Sequence, residues 1–347
     1  MRNRTAVIDY MRFIAMLMIV IGHFNNWCGH VYHFDFAYII VEFFPLVAGW
    51  LLMSEVEGAE NRNLAKYAKK RFLRLFPYTI MALIPLLIRQ AFHSAEPLIK
   101  QWMLAMPEMF LISYNGMNTL WGTINGPSWF VIAIFLAELF LYAICCVCKR
   151  KTVVNFILPV SVIWGYGFLA AGAPEGGQDA WNGWFNMGFF RAYIAVSLGA
   201  LLYFVSQKIK EINWSATGSK LLTTLEAAMY AFCIILLLTC KSYEYTDASL
   251  RYSVTAFLSV AISLSFSGVT ATRRLKDGGL SRFLGKISLS MCLVHSMVIL
   301  LFYRIFESPW EYTGVFMLAV LLCSVLFQFL VETVLRLLKK MERHQLA

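Results

Sequence analysis

Ten apolar stretches recur along the chain, at about residues 7–27, 36–54, 73–91, 129–148, 153–172, 188–206, 220–240, 251–270, 286–305 and 314–337. An α-helix rises about 1.5 Å per residue, so roughly 20 apolar residues match a hydrocarbon core of about 30 Å. Lipid offers no hydrogen bonds to the backbone. A chain crossing it this often must close its own bonds, which a helix does within each span. The third run is the least regular, since Pro77 and Pro85 interrupt it and Arg89 sits at its end. Charged residues make up 14% of the chain, against roughly a quarter in a soluble domain. The expectation is an all-α integral membrane protein, a bundle of about ten transmembrane helices.

Charge placement orients the bundle. With a cytoplasmic N-terminus, 24 of the 30 basic residues fall on or near the inner side: Arg2, Arg4 and Arg12, the run from Arg62 to Arg74, Lys149 to Lys151, Lys208 to Lys220, Arg273 to Lys286, and Arg336 to Arg343. Such a bias in short loops sets topology, and it puts both termini in the cytoplasm. The net charge of +10 follows from this bias and from anionic lipid, so no nucleic-acid partner is implied. The first run is too long for a signal peptide, carries Arg12 and His23 and lacks a small-residue cleavage pattern, so it is read as retained. Cys28-Gly-His30-Val-Tyr-His33 matches no zinc spacing, and no metal is expected. The connection over about 92–128 has room for a short interfacial helix around residues 102–111.

The first run holds Arg12 and His23. Eleven steps of about 100° bring a helix back to within about 20° of its starting face, with the two side chains roughly 16 Å apart along it. Ala15, Met16 and Ile19 fall within about 60° of that face, whereas Met11, Leu17 and Ile21 point elsewhere. Ionisable groups inside a membrane are costly and mark function. Two on one stripe suggest a site entered from one surface and acting deeper in. Asp9, three residues before Arg12, is placed to orient it.

A second group is Lys66-Tyr-Ala-Lys-Lys70-Arg71-Phe-Leu-Arg74-Leu-Phe-Pro77. Arg71 and Arg74 share a helical face at the inner edge of the third run. Paired guanidiniums form a fork for phosphate oxygens that lysine supplies less specifically. The alternative is that these residues only anchor topology. A third group comprises Glu42, Glu138, His295 and Glu332, each placed within an apolar run, where an interhelical hydrogen bond is the simplest role. Arg336, four residues after Glu332, is its expected partner, and Trp129 at a run's outer end is read as an interface anchor.

On these residues the chain resembles the membrane acyltransferase-3 family along nearly its whole length. The likeness rests on Asp9-Tyr-Met-Arg12-Phe-Ile with Gly22-His23, on Phe43-Phe44 leading to Gly49, on Arg71-Phe-Leu-Arg74-Leu-Phe-Pro77, and on Trp129-Phe-Val. It continues through Leu284-Gly-Lys-Ile-Ser288-Leu-Ser290 with His295 and a late Glu332. It departs where the family often reads Ser-Gly and this chain has Ala48-Gly49, where Ile134 replaces an acid, and where Glu332-Thr-Val replaces Glu-x-Pro. The resemblance implies one acyltransferase domain over 1–347, in a multi-pass protein of a cell membrane, the bacterial cytoplasmic one. Its reaction would move an acyl group, usually acetyl, from a coenzyme A thioester to a hydroxyl of an envelope glycan or lipid-linked sugar. Acyl-CoA would be a co-substrate, with no bound cofactor. The expected catalytic set is His23, Arg12 and Glu138, and the expected acyl-CoA-binding set is Arg71, Arg74 and Lys70. His23 would act as general base, with Asn25, Asn26, Ser128 or Trp129 donating to the oxyanion. The rival is a proton-coupled secondary transporter relaying protons through His23, Glu42 and Glu138.

Overall fold

The computed structural model describes residues 6–28, 36–93, 98–113, 124–171, 186–240, 247–306 and 308–345. His30 and His33 lie outside them. Among the described residues, ten helices are long and apolar enough to cross a membrane, one for each apolar run.

They are α1 (Ala6–Trp27), α2 (Phe43–Glu57, entered through a 3-10 turn at Ala37–Glu42), α3 (Leu64–His93), α5 (Ser128–Val147), α6 (Leu158–Ala170), α7 (Met187–Glu211), α8 (Ala216–Thr239), α9 (Asp247–Ser267), α10 (Gly279–Ile305) and α11 (Thr313–Gln345). Between α3 and α5 lies α4 (Leu98–Met109), the short helix expected in that connection. The third membrane helix starts nine residues before its apolar run, at Leu64 rather than 73. Lysine and arginine stems extend a helix into the interface while their heads reach water. Pro77 and Pro85 both sit inside α3 without ending it; each removes one N–H from the ladder, which bundled membrane helices accommodate.

Ion pairs tie the helix ends together and fix their alternation. Arg150 pairs with Glu57 at 2.8 Å, and Lys286 with Glu332 at 2.8 Å. Both pairs lie at the edge where α1 begins, here called the basic edge. Arg251 pairs with Glu42 at the opposite, far edge. Glu332 thus takes Lys286 from a neighbouring helix rather than Arg336, which donates to the Glu332 backbone carbonyl instead.

The centre of the bundle is formed by α1, α2 and α9. Their spans are 61%, 67% and 61% buried, against 17% for the span ending in α6 and 22% for α8, which lie at the outside. Two glycines set the closest crossing, between α2 and α7. A Cβ on Gly49 would lie 1.9 Å from the Val196 carbonyl oxygen, and one on Gly199 would lie 2.1 Å from that of Leu46. Small residues let membrane helices approach this closely. Gly285 of α10 plays the same part for α1, since a Cβ there would fall 2.4 Å from the Asp9 carboxylate. Trp50 of α2 stacks on Phe266 of α9 and donates to the Ser206 hydroxyl of α7 at 2.9 Å.

Candidate active site

The packing leaves a cavity of about 430 Å³ bordered by α1, α2, α3, α5, α7, α9 and α10. From α1 it takes Arg12, Met16, Ile19, His23 and Asn26, steps of four, three, four and three that trace one helical face. Of the residues placed near that face by the sequence, Met16 and Ile19 line the cavity but Ala15 does not. Ala15, Met16 and Ile19 all belong to the buried apolar core, and Leu17 packs against it. Which of them also border the cavity is set by the neighbours of α1, which crowd it on nearly all sides.

The basic end of the cavity holds three arginines and one acid. Arg71 binds Glu138 at 3.0 Å, donates to the Tyr67 hydroxyl at 3.1 Å and lies 5.2 Å above the Tyr67 ring. Arg12, Arg71 and Arg74 all act electrostatically on the Glu138 carboxylate. Arg12 in turn reaches Asp9 at 3.5 Å. So Glu138, nearly buried on α5, sits among the arginines, where it orients Arg71. Lys70 is the outlier: it pairs with Glu55 on the exposed surface and does not line the cavity.

Deeper in, His23 meets His295. The His23 Nδ1 and His295 Nε2 atoms are 2.9 Å apart, the ring planes are inclined by only 19°, and their centroids are 5.2 Å apart. That nitrogen contact is shorter than the roughly 3.5 Å at which stacked atoms rest, so the rings meet edge to edge through a hydrogen bond. His295 is fully buried, and its Nδ1 lies 2.9 Å from the Met291 carbonyl. Toward the far edge the lining continues with Tyr38, Asn26, Trp129, Arg191 and the Arg251–Glu42 pair.

Trp129 therefore faces the cavity rather than anchoring the interface. Of the four oxyanion donors considered, Asn26 and Trp129 line the cavity. Asn25 is buried away from it, and the Ser128 hydroxyl donates to Glu108. Neither α6 nor α8 contributes to the lining, although α7 and α9 do.

One support was not foreseen from the sequence. Glu108 of α4 turns inward and accepts from the Ile124 amide at 2.6 Å, the Asn125 amide and the Ser128 hydroxyl, holding the turn that starts α5. Asn125 then bridges to α10, donating to the Leu293 carbonyl and accepting from the Ser296 hydroxyl, both at 2.9 Å. The two contacts straddle His295.

Burial pushes the Glu108 carboxyl up from 4.5 to about 7, although its three hydrogen bonds pull the other way. A group whose folded pKa is raised stabilises the fold below its unfolded value, and that stability is lost as pH rises through the folded value. Thermal unfolding in detergent should therefore move to higher temperature as pH falls from about 7 to about 4.5. The span is worth at most about 3 kcal/mol at 1.36 kcal/mol per unit. Glu108→Gln should flatten that part of the profile, and an unchanged slope would show that Glu108 does not titrate there.

Compared with known families, residues 6–328 match the acyltransferase domain of the Acyl_transf_3 family. No curated protein and no solved structure matches the chain. The matched segment contains every helix that borders the cavity, from Arg12 on α1 to His295 on α10. It covers nearly the whole length, so this multi-pass membrane protein, with arginines at one end of its cavity and a histidine pair within it, belongs to the acyltransferase-3 family and is an acyltransferase.

Proposed function

We propose that the chain transfers an acyl group, acetyl in the first instance, from cytoplasmic acyl-CoA to a hydroxyl of a cell-envelope glycan or lipid-linked sugar, with His23 as general base. One observation carries this reading. A single cavity has Arg12, Arg71 and Arg74 at its basic end, His23 farther in, and a second polar end bounded by Arg191, Arg251 and Glu42.

Coenzyme A is a polyanion with a thin arm, and the basic end suits its phosphates. The arm has a path past Met16 and Ile19, both apolar, toward His23. Lys70, outside the cavity, adds only to the positive field at its mouth. The acceptor would enter from the far end, where arginine and glutamate can bind its hydroxyls. There its hydroxyl gives up a proton to His23 as its oxygen attacks the thioester carbonyl. The tetrahedral oxyanion is within the compass of the Asn26 amide and the Trp129 indole, which border the same space. Collapse breaks the carbon–sulfur bond, and the imidazolium returns its proton to the departing thiolate. Both acids of the alternative proton relay are held by arginines, Glu42 by Arg251 and Glu138 by Arg71. That favours a fixed electrostatic role for them.

The test is transfer of label from acetyl-CoA to envelope glycan by the purified protein, with Arg74→Ala alongside. Arg74 is the cleaner probe, because Arg71→Ala would strand the buried Glu138. Arg74→Ala should raise KM for acyl-CoA by about tenfold to a hundredfold, the range of a lost charged hydrogen bond, with a smaller change in kcat. Unchanged acyl-CoA affinity would reduce the basic run to a topology signal.

A further inference from the structure

Two histidines 272 positions apart in sequence meet nitrogen to nitrogen, and their outer partners decide where the protons sit. A backbone carbonyl only accepts, so the His295 Nδ1 that faces the Met291 oxygen at 2.9 Å must carry hydrogen. A neutral imidazole has one N–H, which leaves the His295 Nε2 as a bare acceptor. The nitrogen opposite it, Nδ1 of His23, must then be the donor. His23 consequently holds its proton on Nδ1 and leaves Nε2 with a free lone pair. His295 is fully buried, which disfavours the imidazolium that would reverse this order.

We propose that His295 is a positioning residue for the acyl transfer. It holds His23 in the Nδ1-protonated tautomer and in one ring orientation, so that Nε2 is the nitrogen offered to the acceptor hydroxyl. This rests on His23 serving as the base in the reading above.

The surroundings make the arrangement rigid. His295 is anchored one turn back on its own helix, through Met291. Asn125 clamps α10 at Leu293 and Ser296, one on either side. A half-turn flip of the His23 ring would put a carbon where its Nδ1 now meets His295, and would lose the bond. During transfer, the acceptor's proton goes to His23 Nε2 and the ring becomes an imidazolium. Its Nδ1–H still donates to His295, now as a charge-assisted bond and so a stronger one. When the thiolate leaves, the same proton returns from Nε2 to sulfur, and both rings regain their starting state. His295 gains and loses no proton.

Two measurements test this. The first is nitrogen NMR of the full-length protein labelled with ¹⁵N-histidine, with His23→Gln used to assign the His23 signals. It should show His23 Nδ1 protonated and Nε2 bare, and in His295→Leu the proton should redistribute toward Nε2. The second is a kinetic series. His295→Leu should lower kcat by roughly tenfold to a hundredfold with little change in KM for acyl-CoA. His295→Gln, whose carboxamide oxygen can accept from Nδ1–H, should recover much of that loss. A role in packing alone would make leucine the better replacement and would leave the His23 tautomer unchanged. Protonation on His23 Nε2 in the unmodified protein, or equal kcat for the leucine and glutamine variants, would overturn the proposal. The spectrum reads the tautomer whether or not acyl-CoA is the donor. Failure of the proposed reaction would show instead as absence of label transfer by the unmodified protein.

Discussion

Replacing His23 with alanine should lower kcat for acyl transfer by about 10²–10⁴-fold, the usual contribution of a general base. His23 is only partly buried and its substitution removes no helix contact of the kind made by Gly49 or Gly199. The variant should therefore insert and purify like the unmodified protein. Binding of acyl-CoA should persist, because the arginines Arg12, Arg71 and Arg74 sit at the other end of the α1 stripe. The check is a label-transfer assay beside direct acyl-CoA binding on the same preparation. More than about a tenth of the original rate would remove His23 from the role of base, given that range.

The second large effect concerns the path between those two ends. Met16 and Ile19 are the α1 side chains that face the cavity between Arg12 and His23. Ile19→Trp adds a wide, rigid ring where the acyl arm has to pass, and should cut transfer by more than tenfold without unfolding the bundle. A matched control is Ile163→Trp on α6, a position that is 70% exposed on the lipid-facing side. Bulk is tolerated there because lipid can rearrange around it. Transfer should fall for the first variant and hold for the second. Similar rates in both would mean that the donor reaches His23 by another route.

The number of membrane helices was readable from hydropathy because each crossing is a local decision. About 20 apolar residues suffice, and the helix closes its own hydrogen bonds without help from distant chain. The short α4 was readable for the same reason, and so was the Asp9–Arg12 contact, which spans a single turn. The Arg12–His23 stripe followed from helical arithmetic alone, and the cavity does run along it. The same arithmetic could not say which flank of the stripe would be open. It allowed both Ala15 and Met16; both are buried in the core, and only the neighbouring helices decided that Met16 also borders the cavity.

Partners chosen by nearness in sequence fared worse when a better one lay across a helix interface. Glu332 had Arg336 one turn away and took Lys286 instead. The His23–His295 pair, the Glu42–Arg251 bridge and the Asn125 clamp on α10 join residues 168 to 272 positions apart. No periodicity records such pairs. Hydropathy and helix phase are properties of one segment and its solvent, and they specified ten helices and one polar stripe. Which stripes would face each other depended on close helix crossings such as Gly49 against Val196. That is a matter of shape between surfaces remote in the chain, and it exists only once the helices have packed.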